Sequence, residues 1–448
     1  MITKKLNIWW ITALLLMPVD LYSQTTDPSS AYDEEDERSI RENPVIEGYG
    51  EDDIDISVPR YIKENRNHII LNGADWSKLR NALKQTDINP VNIVHIGDSH
   101  LQADIATGAI RDYLQYDYGN AGRGLVAPLR MSGTNEPRDY SISSPKSWTS
   151  AKLMKPNWDR TMGFTGTSIS PVQPNSELIV STSETDDYDP FSSITVFHNG
   201  QMFITGVENG DGDAIPFLAT PSQNYTHIDI TEETSRVKIQ FESAGDLTVF
   251  GINLSGNRPG IFYHTIGNNG ATYDTYNRIG DMGEGIKPLY PDLVIISLGT
   301  NEAFGRFDAN VFKKSMNRLI GNITKDNPDA AILLVTPMEC QRSVYQTVSK
   351  RTKAKGRGKK RRRTTSRRVR SYAKNNNILP IRNAILSYGK ENHIAVYDWY
   401  EVAGGADASS NWISDGLFGR DRVHHTIKGY NLQGYLMYQA LKEAFDRK

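Results

Sequence analysis

The sequence predicts an α/β protein: a doubly wound, mostly parallel sheet with helices on both faces, interrupted by an inserted β-sandwich domain. Two observations carry that prediction. At both ends of the 448-residue chain, apolar runs of strand length alternate with segments of helical periodicity. Between them, residues 131–257 turn rich in Ser, Thr, Pro, Gly and Asn and break into short alternating stretches. The hydrophobic fraction of 38% and the aromatic fraction of 9% suit a globular chain with long loops.

The core is expected to begin near Tyr61, giving an α/β domain over 61–130 and 258–448. "DWSKLRNALKQ" has helical spacing, and "VNIVHIG" reads as the first buried strand, closed by Gly97. "ADIATGAIRDYLQYDYG" follows as a helix. In the insert, "SELIVSTS", "SSITVFHNG", "THIDIT", "RVKIQFES" and "DLTVFGINL" read as strands, and the Asn-Gly of "VFHNGQMFI" predicts a hairpin turn. The α/β rhythm resumes at "GIFYHTIG". There follow a helix around 272–285, the strand "DLVIISLG", a helix from Ala309 to Thr324 and the strand "AAILLVTP". A helix near 377–392, the strand "IAVYDW" and the helix "TIKGYNLQGYLMYQALKEAF" close the chain. In such sheets ligands bind outside the carboxyl ends of the strands.

The net charge of −2 hides two opposed segments. Residues 24–60 are acidic and poor in large apolar side chains, which predicts a solvated linker. Of the 21 residues from Lys350 to Arg370, 13 are Lys or Arg, which predicts a basic loop. Residues 1–23 carry two lysines, a short apolar run and a small residue at Ser23, the pattern of a secretory signal, so the mature chain is expected to begin near Gln24. Export argues against a nuclear or nucleic-acid role for 350–370 and leaves three readings: a solvated loop, docking on an anionic wall or membrane surface, or contact with the acidic arm. The single cysteine, Cys340, forms no internal disulfide and is expected to be buried. No metal-ligand spacing and no phosphate loop is apparent, and no cofactor is expected.

Candidate chemistry begins at "NIVHIGDSHLQAD", where Ser99 stands at the mouth of the first strand. A serine hydroxyl becomes a nucleophile only with a base within hydrogen-bond reach. "GRDRVHHTIKGY" supplies one: Asp421 and His424 are three apart, so the carboxylate can orient the imidazole of its own turn. His425 is the rival base, with the less suitable spacing; His100 and His95 read as structural. Acyl transfer also needs donors for an oxyanion. The Ser99 N–H, the Gly270 N–H in "TIGNNGATYD" and the Asn301 amide in "ISLGTNEAF" are the candidates.

Taken together, GDS at Ser99, Gly270, GTN at Asn301 and DxxH at Asp421 and His424 resemble the four blocks of the SGNH (GDSL-like) hydrolase superfamily. "GDSHLQAD…GNAGRGLVAPL", "GTNEAF" and "YDWYEVAGG…W…DGLFGRDRVHHTIKGY" further resemble the peptidoglycan O-acetylesterases of Gram-negative bacteria. The resemblance implies a flavodoxin-like three-layer fold with Ser99 as nucleophile, Asp421 and His424 as its partners, and Ser99, Gly270 and Asn301 as the oxyanion hole. It also implies a carbohydrate-binding-module-like β domain at 131–257, an O-acetylated peptidoglycan substrate and a periplasmic or cell-envelope location. The acidic arm and the basic segment have no counterpart in that pattern. Trp148 and Trp158 are candidates for sugar stacking in the insert. The alternatives are an O-acetyltransferase, an esterase on another O-acetylated polysaccharide such as xylan, and a non-catalytic glycan-binding wall protein.

Overall fold

The structure is a computed structural model that describes residues 56–182, 189–353 and 362–447. The expected signal sequence and residues 24–55 of the acidic segment lie outside the described residues. Six strands form the central sheet: β1 (Ile69–Ile70), β2 (Val91–Gly97), β3 (Ile261–Gly267), β4 (Leu293–Ser297), β5 (Ala331–Val335) and β6 (Ala395–Tyr397). Their order is β1-β6-β5-β4-β2-β3, with β1 antiparallel at one edge and every other pairing parallel. Among the five parallel strands this is the 2-1-3-4-5 order of flavodoxin-like sheets, with the topological switch between β2 and β4. The two-residue β1 has too little pattern to be read from sequence.

The helices that cover the sheet are α1 (Ser77–Leu83), α2 (Ser99–Gln102), α3 (Ile105–Tyr118), α4 (Ala309–Asp326), α5 (Ile378–Glu391) and α6 (Ile427–Asp446). Strand periodicity sorts the core into two layers. Ile93, Tyr263, Ile295, Leu333 and Tyr397 point to one face and pack with Leu79 of α1, Ile110 and Leu114 of α3, and Leu436 and Leu441 of α6. Their neighbours Val94, Ile266, Ile296, Leu334 and Val396 point to the other face and pack with Phe312, Leu319 and Ile323 of α4 and Ile381 and Ile385 of α5. Burial on both faces is why these strands read as continuous apolar runs.

The single helix expected over 272–285 is two short ones, Tyr273–Tyr276 and Met282–Ile286. The chain turns between them, and Asn322 of α4 accepts the Gly283 N–H at 2.7 Å.

Between β2 and β3, nine strands join in one hydrogen-bonded network with its own core, built on residues such as Ile194, Val196, Ile239 and Ile252. The network takes in Gly124–Val126, which pairs with Ile252–Leu254 and lies ahead of the expected start of the insert. Its backbone is the pair Phe191–Glu208 and Arg236–Ser255. The hairpin expected at Asn199-Gly200 does not form, because both residues lie inside the first of these long strands. They sit at a bulge, where Gln201 pairs with Ala244 but Asn199 with Thr248. Gly200 takes the left-handed φ of 77° that the bulge requires, and the Asn199 carboxamide accepts the Thr248 N–H at 2.9 Å. The Asn-Gly pair serves a bend in a strand instead of a reversal.

The basic segment, expected as a loop at 350–370, is different where it is described. Gln341–Lys353 and Arg362–Lys374 pair antiparallel along their whole length, from Gln341 opposite Lys374 to Lys353 opposite Arg362. Residues 354–361 lie outside the described residues. Composition hid the ribbon: the cations from Lys350 to Arg370 read as a solvated loop, although Val344 and Val348 ahead of them and Val369 within them lie on one face.

Candidate active site

Ser99 opens α2 directly after β2, at the carboxyl end of the strand beside the switch point. Asp98 caps this turn, its carboxylate accepting the His100 N–H at 3.0 Å. Gly267, at the end of β3, lets α2 come close, since a Cβ there would lie 2.4 Å from the Gln102 nitrogen. His424 arrives from the loop before α6, and its Nε2 lies 2.7 Å from Ser99 Oγ. Its Nδ1 lies 2.5 Å from Asp421 Oδ2, while Asp421 Oδ1 accepts the N–H groups of Val423 and His424 at 2.9 and 3.0 Å. All three side chains are buried.

The electrostatics assign the protons. Burial alone would raise the Asp421 carboxyl, but the facing His424 ring and the hydrogen bonds it accepts hold it well below the usual carboxylate range. An ionised Asp421 keeps the proton on Nδ1, so Nε2 accepts from the Ser99 hydroxyl. The neighbouring histidines are not rivals. Burial, then the facing His424, pushes His100 well below its ordinary value and His425 down to about 3, so both are neutral. His425 is packed among Trp412, Phe418 and Tyr430, with ring centroids 4.8, 5.0 and 4.9 Å away. His100 Nδ1 meets the Tyr430 hydroxyl at 3.1 Å. His95 bridges Tyr263 and Ser297 at 2.8 and 2.6 Å in the core, and Cys340 is buried.

Asn301 bonds to Asp98 and Ala271, the chain neighbours of Ser99 and Gly270, so the three donor candidates lie near one another, but they differ in readiness. Among the described residues, the backbone N–H groups of Ser99 and Gly270 meet no acceptor. Gly270 holds a left-handed φ of 76°, which turns its peptide with no side chain in the way. The Asn301 amide is already engaged, donating to Ala271 O at 3.0 Å and to Asp98 Oδ2 at 3.2 Å. Sequence placed Asn301 correctly at the end of β4 but could not show that Asp98 competes for it.

Sequence reading did not name the residues by which the insert reaches the site. Gln102, one turn after Ser99, accepts the Asn269 N–H at 2.7 Å and donates to Asn135 O and Thr134 Oγ1 at 3.0 and 2.8 Å. It thus ties the Gly270 loop and the start of the insert to the serine's helix. Asn268 reaches Thr165 O at 2.9 Å, and Met154 covers Gly270, where a Cβ would lie 3.2 Å from Met154 Cε. No sequence signal marked Gln102, which stands among the polar residues Asp98, Ser99, His100 and Asp104. Trp148 and Trp158 are used in packing: Trp148 meets Phe241 edge-on at 6.0 Å, and Arg278 lies 4.3 Å over the ring of Trp158.

Residues 250–432 match the GDSL-like lipase/acylhydrolase family. That segment contains Gly270, Asn301, Asp421 and His424; Ser99 lies ahead of the insert and joins them only through the fold. No curated protein matches the chain's sequence. Among solved structures, a peptidoglycan O-acetylesterase is 19% identical with a TM-score of 0.65, covering 84% of this chain and 99% of its own. A family two carbohydrate esterase from Cellvibrio japonicus is 12% identical with a TM-score of 0.27, covering 67% of this chain and 98% of its own. An acetylxylan esterase from Geobacillus stearothermophilus is 16% identical with a TM-score of 0.26, covering 42% of this chain and 74% of its own. The family match and the hydrogen-bonded serine make this chain a carboxylic ester hydrolase that resembles the SGNH (GDSL-like) hydrolases and is similar in fold to a peptidoglycan O-acetylesterase.

Proposed function

We propose that the chain is an exported serine esterase that removes O-acetyl groups from peptidoglycan, at the C6 hydroxyl of muramic acid, in the periplasm or cell envelope. The observation that carries the chemistry is the continuous hydrogen-bonded line from Ser99 through His424 to Asp421. The substrate comes from the resemblance to peptidoglycan O-acetylesterases and from the fold shared with one of them. The apolar N-terminal run and its flanking lysines support export.

Ser99 Oγ attacks the acetyl carbonyl carbon as its proton passes to His424 Nε2, and Asp421 stabilises the imidazolium. The carbonyl oxygen, now negative, is received by the Ser99 and Gly270 N–H groups and by the Asn301 amide, whose longer bond to Asp98 is the one given up. Collapse breaks the bond to the sugar oxygen, which leaves with the proton from His424. Water, deprotonated by His424, attacks the acetyl group on Ser99 and releases acetate. The β-rich insert, read as a carbohydrate-binding-module-like domain, walls the site through Asn135 and Met154 and shapes the cleft for a glycan.

Acetate release from O-acetylated peptidoglycan, measured beside release from acetylated xylan, tests the substrate. Turnover of peptidoglycan well above that of xylan is expected. Release from xylan alone would keep the ester chemistry and discard the cell-wall role.

A further inference from the structure

The basic ribbon is rooted in the loop that carries Asp421 and His424. The Gln341 N–H donates to Arg422 O at 3.0 Å, the Asn375 N–H to Cys340 O at 3.0 Å, and the Tyr372 hydroxyl to Arg420 O at 3.2 Å. Lys374 pairs with Asp407 at the same end. Residues directly opposite each other in an antiparallel pair share a face, and faces alternate along each strand. With Tyr345 opposite Arg370, Thr347 opposite Arg368 and Ser343 opposite Tyr372, both tyrosines and both arginines lie on one face. Val344, Val348 and Val369 lie on the other. On the first face Arg368 stands 4.6 Å over the Tyr345 ring and Arg370 5.3 Å over Tyr372. Arg422 of the catalytic loop also approaches Tyr372, at 5.5 Å, so this face runs on into the site. Tyr345 is 56% exposed.

We propose that the tyrosine–arginine face of the ribbon binds the anionic glycan polymer whose acetyl groups Ser99 removes, holding the strand beside the site mouth. The inference rests on the reading of the chain as a peptidoglycan esterase. Arg368 covers one side of the Tyr345 ring, and the part of the ring that stays exposed offers an apolar surface for a sugar; the planar guanidinium fork matches carboxylates such as those of the peptide stems. The face points to a polymer rather than a lipid surface because its cations are interleaved with aromatic rings and it continues into Asp421's loop. The apolar valines lie on the opposite side.

The full chain carrying Ser99→Ala, so that turnover does not intervene, is sedimented with insoluble peptidoglycan stripped of O-acetyl groups. The Ser99→Ala chain should pellet. Adding Arg368→Gln with Arg370→Gln should weaken pelleting about tenfold, and Tyr345→Ala about threefold, with both losses shrinking as salt screens the charge term. Val348→Ser, on the far face, should pellet like its parent and serves as the folding control alongside circular dichroism. Equal pelleting of the arginine variant and its parent, or capture by phosphatidylglycerol vesicles as strong as capture by peptidoglycan, would overturn the proposal. Acetate release by the Ser99 enzyme is assayed separately. Its failure would remove the proposed function without altering the pelleting result, and the reverse also holds.

Discussion

Asp421 is placed to hold one tautomer of one histidine. Its carboxylate faces His424 Nδ1, and its other oxygen is taken by two backbone N–H groups. Asp421→Asn preserves that geometry but can place a donor against Nδ1, leaving the wrong ring nitrogen protonated. Esterase kcat should fall roughly ten-thousandfold with little change in KM, as steady-state kinetics would show. Gly270→Ala should fail for a different reason: the left-handed φ and the Met154 contact both resist a Cβ, so the donor loop must shift. Glu302, beside Asn301, makes a pH prediction. Burial, opposed by the Tyr273 N–H it accepts at 2.9 Å, raises its carboxyl from 4.5 to about 7. A carboxyl that binds its proton more tightly when folded gives stability that is complete below 4.5 and is lost as pH rises through 7. The thermal midpoint of the native chain should therefore drop, relative to that of Glu302→Gln, between pH about 5 and about 8; parallel curves for the two proteins would contradict it.

At the scale of elements, Gln102 on α2 is the joint between the serine turn, the Gly270 loop and the insert. Gln102→Ala leaves the buried Asn269 N–H without its acceptor, so chemical denaturation should show a loss of about 1–3 kcal/mol. The same variant should lower kcat for a small aryl acetate, since the Gly270 peptide loses its tether. The strands and helices around this joint were legible in sequence because each is a periodic run with a clear stop, as in "VNIVHIG" and the Thr426-capped α6. The site was legible for the same reason: each candidate residue follows a strand or precedes a helix whose ends are marked. What stayed hidden depends on contacts between distant segments. Asn199-Gly200 forms a bulge only because Arg236–Ser255 runs alongside it. Asn301 shares its amide with Asp98 across a sequence separation of 203 residues. The basic segment pairs with itself although its composition reads as a loop.

The whole molecule is fastened where the insert leaves the core. Asp104, on the turn between α2 and α3, pairs with Arg111 at 2.8 Å and Arg123 at 2.7 Å. Both arginines also reach Asp139 in the insert. Asp104 also accepts from Thr265 of β3 at 2.8 Å. Burial by itself disfavours a charge at Asp104, yet the two arginines keep its carboxyl below the usual range. Removing the central anion leaves two buried cations short of a partner, so Asp104→Ala should cost about 3–5 kcal/mol in a denaturant titration. Because the network spans core and insert, the loss should loosen the Ser99 environment as well, and activity should fall with stability. Unchanged stability in Asp104→Ala would mean that the other ties between core and insert, such as those of Gln102 and Asn268, hold without this ion-pair network.

The central claim is that Ser99 takes the acetyl group. Mass spectrometry of the protein, acid-quenched during turnover of an activated aryl acetate, tests it most directly. One acetyl group should be found on the peptide containing Ser99, and Ser99→Ala should carry none and release no acetate. Acetate release that persists at the native rate in Ser99→Ala, or an acetyl group found only elsewhere, would contradict the account.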